Sequence, residues 1–367
     1  MTKTGLVFFV SALAALAQPS KTTLFVGAWP GKVVVIDEAS YSITKEIPLK
    51  TGVARNMLLS PDKKRIVITT MKDSGIEIID TATQQLVDSF QLNTSNTRVR
   101  FGGVALDPTG KLLYAVITTA EKQIDRFAIT PSQFAVIDLD QKKIVRTAEY
   151  PKDEFAGGGR GQYRVSPDGK SLYQFGENVL VFNTSDFKLV EKIELSRAQY
   201  PGLESIGVMN ADDPHDPPGV YTGIFNSTDP VVHKRVFGIA QFDLNSRKFK
   251  FDAIGTPVAG MAGFRLTPDH KTGYSVAVEG EHGDRRTEFW VFDIPGHKVV
   301  RKGVFNGRTR FTFGSSSNGK HLFIYGAGNT IEVYDAVTLQ LIKDLDVNAD
   351  MTTQVVAVLP AGSPAAR

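Results

Sequence analysis

The chain predicts an all-β fold: a seven-bladed β-propeller of four-stranded antiparallel blades. Three observations carry this expectation. A Ser/Thr-Pro-Asp turn recurs along the chain. A strand ending on an acid recurs beyond each turn. The two termini hold complementary parts of one sheet. Repeats of four short strands at this period are the signature of propeller blades.

The clearest copy runs from Arg55 to Asp80. Met57-Leu58-Leu59 is a short apolar run that stops at Ser60-Pro61-Asp62-Lys63. Proline presets φ there, and the aspartate can accept from the backbone two residues on. Arg65 to Thr69 is rich in β-branched residues, which suit a pleated strand. Gly75 breaks the run, Ile76 to Ile79 resumes it, and Leu86 to Phe90 adds a fourth strand. The turn returns as LDPTG (Leu106 to Gly110), VSPDG (Val165 to Gly169) and LTPDH (Leu266 to His270), with a degraded copy, SSNGK, at Ser316 to Lys320. The third strands end on Asp37, Asp80, Asp138, Asn183, Asp243, Asp293 and Asp335, at intervals of roughly 42 to 60 residues. Seven such ends predict seven blades. A carboxylate repeated at one place in successive blades reads as a cap for the following turn, not as catalytic machinery.

The first repeat opens at Thr22 to Val26, already a second strand, with its hairpin turn at Trp29-Pro30-Gly31. Its missing first strand is expected in Thr353 to Pro360, which would close the ring and cover both sheet edges. The third repeat carries an insertion, Thr118 to Gln133, expected to be a loop on a binding face. The fifth repeat is the least regular, with Asn210 to Pro218 in place of the turn and a second insertion at Asn226 to His233. The sixth carries a charged insertion at Glu279 to Glu288.

Residues 1–17 read as a secretory signal peptide. Lys3 supplies the positive end, Leu6 to Leu16 the apolar run, and Ala15-Leu16-Ala17 the cleavage pattern. The propeller is expected over residues 22–360, with a disordered tail at 361–367, in a periplasmic or secreted protein. No second apolar stretch is long enough to span a membrane. The chain has 42 Lys and Arg against 39 Asp and Glu, a balance that disfavours nucleic acid as a partner. It has no cysteine, which excludes a disulfide, a lipoprotein anchor and any thioether-linked group within this chain.

Arginines carry the functional expectation. Arg55, Arg100, Arg160, Arg164, Arg265 and Arg310 lie within or just before innermost strands, with Arg98 and Arg308 slightly upstream. Those positions approach one mouth of a propeller's channel, where guanidinium groups attract an anion or an acidic partner. The alternative is a set of separate salt bridges to acids such as Glu204 and Asp350. Phe101, Tyr163, Phe264 and Phe311 either line that mouth or fill the core between blades.

Other motifs read as structural. Asp212, Asp213, His215 and Asp216 gather possible metal donors, but Pro214, Pro217 and Pro218 make the stretch an exposed turn without diagnostic spacing. Gly157-Gly158-Gly159-Arg160-Gly161 lacks the lysine and hydroxyl residue of a phosphate loop and reads as a flexible loop. The six histidines show no paired spacing, and His270 is expected to be solvent-exposed in its turn. No metal ligand and no catalytic residue is assigned.

The turn and strand-end pattern resembles the YVTN type of bacterial propeller. Within it the chain is similar to the β subunits of quinohemoprotein amine dehydrogenases. The likeness rests on KVVVID with TKEIPL (Lys32 to Leu49), RVRFGGVALDPTGKLLY (Arg98 to Tyr114), the insertion AEKQIDRFAITPSQFAVIDLDQKKIVR (Ala120 to Arg146) and NADMTTQVVAVL (Asn348 to Leu359). The resemblance implies a non-catalytic subunit that walls a substrate pocket. It would bind no cofactor itself and would dock a cytochrome subunit carrying haem c and a small subunit carrying a tryptophylquinone. Two other readings stay open: a stand-alone secreted propeller binding a protein or glycan, and a lactonase-like hydrolase.

Overall fold

A computed structural model of the chain describes residues 21–151, 161–195, 206–210, 219–228, 231, 233–255, 260–280, 284–308, 310–326 and 328–360. The expected signal peptide, the tail at 361–367, Arg160 with the glycine run before it, and the Asp212–Asp216 cluster lie outside these residues.

Seven small antiparallel sheets form a ring, a seven-bladed propeller. Blade 2 shows the pattern, from an inner strand Ala54–Leu59 through Arg65–Thr70 and Gly75–Asp80 to an outer strand Gln85–Gln91. Blade 1 closes the ring as expected. Its inner strand, Val356–Val358, comes from the C-terminal end and pairs with Thr23–Ala28, setting Leu24 opposite Ala357. Blades 3, 4, 6 and 7 begin at Thr97–Leu106, Gln162–Val165, Gly260–Leu266 and Thr312–Ser315. The irregular blade 5 also forms four strands, from Gly207–Asn210 to Lys248–Gly255.

The apolar runs follow from burial on both faces. In the strand Lys32–Asp37, Val33 and Val35 pack toward blade 2, while Val34 and Ile36 pack toward blade 7. A strand covered on both sides needs no polar alternation. Outer strands have one wet face and alternate, as Lys143–Glu149 does. The described core falls into seven clusters, each bridging two neighbouring blades.

The recurring polar residues hold turns. Ser60 Oγ donates to Asp62 at 2.6 Å and accepts from the Arg65 amide at 2.9 Å. Ser166 and Thr267 repeat the bond to the aspartate two residues on. The fourth turn position is left-handed in each copy: φ is 60° at Lys63, 67° at Gly110, 74° at Gly169, 56° at His270 and 68° at Gly319. Glycine takes that conformation without strain. His270 departs from expectation. It is partly buried, and its Nε2 is enclosed without a partner. The strand-end acids cap as expected. Asp335 accepts from the Val337 and Thr338 amides at 2.9 and 2.6 Å, and Asn183 does the same for Ser185 in blade 4.

The third-repeat insertion is not a loop. The second strand of blade 3 runs on to Lys122, and Phe127–Ile129 folds back against it. Thr118 and Thr119 favour extended backbone. A tight turn closes the hairpin, with the Gln123 amide donating to the Arg126 carbonyl at 2.8 Å. Together with the start of the inner strand, this makes a three-stranded arm standing beyond the blade. The sixth-repeat insertion is strand at both ends, Glu279 closing the strand Thr272–Glu279 and Arg286 to Glu288 opening the strand Arg286–Asp293.

Candidate functional site at the channel mouth

Inner strands begin at one face of the ring and run to the Ser-Pro-Asp turns at the other. The face where they begin opens into a cavity of ≈ 830 Å³. A deeper void of ≈ 410 Å³ continues below it and shares Met57, Leu58, Val104, Tyr163, Arg164 and Gln354 as walls. The two form one tapering channel.

Strand parity decides which side chains reach it. Counting back from the turn proline, the fourth residue is Tyr163 in blade 4 and Phe264 in blade 6, and both are buried between blades. The third is Arg164 and Arg265, and both face the channel. Successive side chains of a strand point to opposite sides. Nearer the mouth, bulges re-aim the chain. Arg55 is the extra residue of a bulge between Ala54 and Asn56, and Gly102-Gly103 falls in another between Phe101 and Val104. Gly103 is glycine because the Tyr163 ring lies where a Cβ would stand, at 2.1 Å.

Arg55, Arg164 and Arg310 thus converge on the mouth from blades 2, 4 and 7. Arg55 donates to the Phe101 carbonyl at 2.6 Å. Arg164 donates to the Tyr163 carbonyl at 2.8 Å and lies over the Tyr221 ring, 5.8 Å from its centroid. Arg310 is exposed. Arg265 sits deeper, buried, and donates to the Phe264 carbonyl at 2.8 Å. Of the expected aromatics, Tyr163 and Phe311 line the mouth, Phe311 packing edge-on to Phe305. Phe101 and Phe264 do not. Phe264 by its parity, and Phe101 through the bulge between it and Val104, turn into the core, where they are 1% and 2% exposed.

Arg100 stands exposed on the inner strand of blade 3, where that strand joins the arm, and is not part of the mouth. Arg308 follows the salt-bridge alternative. It is bound to Glu332 at 2.7 Å and to the Thr330 carbonyl at 3.1 Å. Asp350 lines the mouth as its one described acid, so three arginines face one aspartate. Neutral donors that sequence reasoning missed complete the wall: Asn56, Thr312, Thr352, Thr353 and Gln354. The Thr352 hydroxyl is enclosed and has no partner. The polar run NADMTTQ directly before an apolar closing strand is the signal that marked three of them.

Burial raises the Tyr163 phenol far above its ordinary range, with the neighbouring Tyr150 adding to the shift. Burial likewise raises Tyr221, which Arg164 partly offsets. Both phenols therefore stay neutral; Tyr163 borders the mouth, and Tyr221 lies in the core beneath the Arg164 guanidinium. Among the described residues, no cluster of His, Cys, Asp or Glu could hold a metal ion.

No protein-family model and no curated protein matches the chain. Solved structures do. A chain of Kuenenia stuttgartiensis hydrazine synthase aligns with a TM-score of 0.51 at 14% identity, over 84% of this chain and 96% of that one. Dihydro-heme d1 dehydrogenase NirN, in complex with DHE, aligns at 0.50 and 15% identity over 93% and 76%. Apo AztD from Citrobacter koseri aligns at 0.51 and 14% identity over 94% and 99%. At these identities the likeness is one of fold. The class that fold and site define is a seven-bladed β-propeller with a cation-lined channel mouth.

Proposed function

We propose that this propeller is a non-catalytic subunit of a periplasmic complex of the quinohemoprotein amine dehydrogenase type. It walls a substrate pocket with its channel face and docks the subunits that carry haem c and a tryptophylquinone. The observation that carries the reading is the convergence of Arg55, Arg164 and Arg310 on one mouth, facing the single described acid Asp350. Guanidinium groups at a half-enclosed mouth favour carboxylates and other planar anions, and steer an acidic partner toward it. The chain's lack of cysteine accords with a division of labour in which thioether-linked haem sits in another subunit.

The test is a pulldown of the mature chain from its native periplasm, followed by an absorption spectrum and mass spectrometry. A Soret band and a small cross-linked polypeptide are expected. A colourless chain recovered alone would overturn the reading. The same mouth also fits a stand-alone secreted propeller that binds an acidic protein or glycan, and that outcome would favour it.

A further inference from the structure

We propose that the channel face is a docking surface for an acidic protein, gripped by the blade 3 arm together with Trp29 and Met71. This deepens the docking reading and rests on it only in taking the channel face as the working face. The observation is where exposed apolar side chains sit. Ile124, Phe127 and Ile129 cap the arm at 108%, 66% and 70% exposure. Trp29 and Met71, both more than half exposed, occupy the equivalent second-to-third-strand loops of blades 1 and 2. Those loops open on the face of the Arg55, Arg164 and Arg310 mouth. Three consecutive blades therefore raise apolar knobs beside one basic opening. Val231 in the same loop of blade 5 is also exposed, and outer strands show apolar residues as well, among them Leu189-Val190 and Leu341-Ile342, but these are spread over the rim and not gathered beside the mouth.

Charge selects the occupant. The arm carries Arg98, Arg100, Lys122 and Arg126 against Glu121 and Asp125, and the mouth adds three arginines against one aspartate. A second copy of this chain would set basic on basic. An anionic membrane surface is met by dense clusters of about four to eight Lys or Arg, without acids interspersed. An apolar patch ringed by carboxylates matches both the knobs and the mouth, with aromatic and aliphatic anchors at the centre of such an interface.

The experiment places a photoreactive phenylalanine analogue at Phe127, and as a control at Val87 on the outer strand of blade 2, in cells of the native host. A discrete adduct with one acidic protein is expected at position 127 and not at 87. That protein, purified, should bind the wild-type chain less tightly as salt rises from about 0.05 to 0.5 M. Its affinity for Ile124→Asp/Phe127→Asp should fall on the order of tenfold or more. Arg310→Glu should also weaken binding, with circular dichroism unchanged. An adduct with a second copy, an adduct with lipid, or no adduct beyond that at Val87 overturns the proposal. A specific partner without haem or quinone keeps the docking face and sinks only the amine-dehydrogenase reading.

Discussion

The Arg55 guanidinium donates to the Phe101 carbonyl at 2.6 Å, tying the bulge of blade 2 to the bulge of blade 3. A bulge interrupts the ladder and leaves backbone groups seeking partners. Arg55 supplies one, so it serves the fold and the mouth together. Arg310 lines the same mouth but is exposed. The two arginines should therefore separate on mutation. Arg55→Ala is expected to cost about 2 kcal/mol, the range for a lost bond to a charged donor. Arg310→Ala should stay within about 0.5 kcal/mol, as surface substitutions do. Urea unfolding of both variants checks this. Equal losses would mean that Arg310 is also structural.

Ring closure joins an apolar cluster between blades 1 and 7 to a buried polar contact. Both Glu38 carboxylate oxygens accept from Ser317 of blade 7, one of them from its amide at 2.7 Å, and the carboxylate is buried. Glu38→Ala removes the acceptor of the Ser317 amide, while the Ser317 hydroxyl keeps its bond to Thr22, and should destabilise by roughly 2 kcal/mol. Ending the chain before Val356 should be worse, because Thr23–Ala28 then becomes an open inner edge. Size-exclusion chromatography should show aggregation of the truncated chain. A monomeric, cooperatively unfolding product would refute the closure argument.

The core between blades 3 and 4 is aromatic. Phe134 is fully buried, stacks on Phe187 at 4.7 Å, and meets Phe182 and Tyr150 at 4.9 Å. Phe134→Ala should cost about 3 to 5 kcal/mol by losing the transfer free energy and leaving a cavity. Phe134→Leu should recover much of it. Chemical denaturation midpoints at unchanged slope measure both.

Most of the architecture was legible in the sequence because each blade repeats the same physics. Turn chemistry at Ser60, Ser166 and Thr267, and caps at Asp37 and Asp335, are local, and local rules read directly. The site was half legible. Parity from the turn proline places Arg164 and Arg265 in the channel, and would have sent Phe264 to the core. Beyond the bulges that count fails, and Arg55 and Phe101 follow tertiary pairing instead. The arm was missed because Thr118 to Gln133 lacks apolar alternation. Its strands hold by pairing with one another and leave their apolar residues in solvent.

The strand-end caps contribute to the acid side of the stability profile, together with the turn acids Asp62, Asp168 and Asp269. Backbone amides donating to Asp37, Asp243 and Asp335 hold their carboxyls below the ordinary value of 3.8. A carboxyl depressed in the folded state stabilises above its unfolded pKa, and that contribution is lost as pH falls through the folded one. Stability should therefore be level near neutrality and fall below about pH 4. Blade 4 carries Asn183 in this role, accepting from the Ser185 amide at 2.8 Å. An amide oxygen thus caps the same turn without titrating. Asp335→Asn should keep most stability at pH 7 and flatten the acid limb, whereas Asp335→Ala should lose stability at both pH values. Thermal melts of the three proteins at pH 7 and pH 3 decide it. An Asp335→Asn variant as acid-sensitive as wild type would show that other groups set the acid limb.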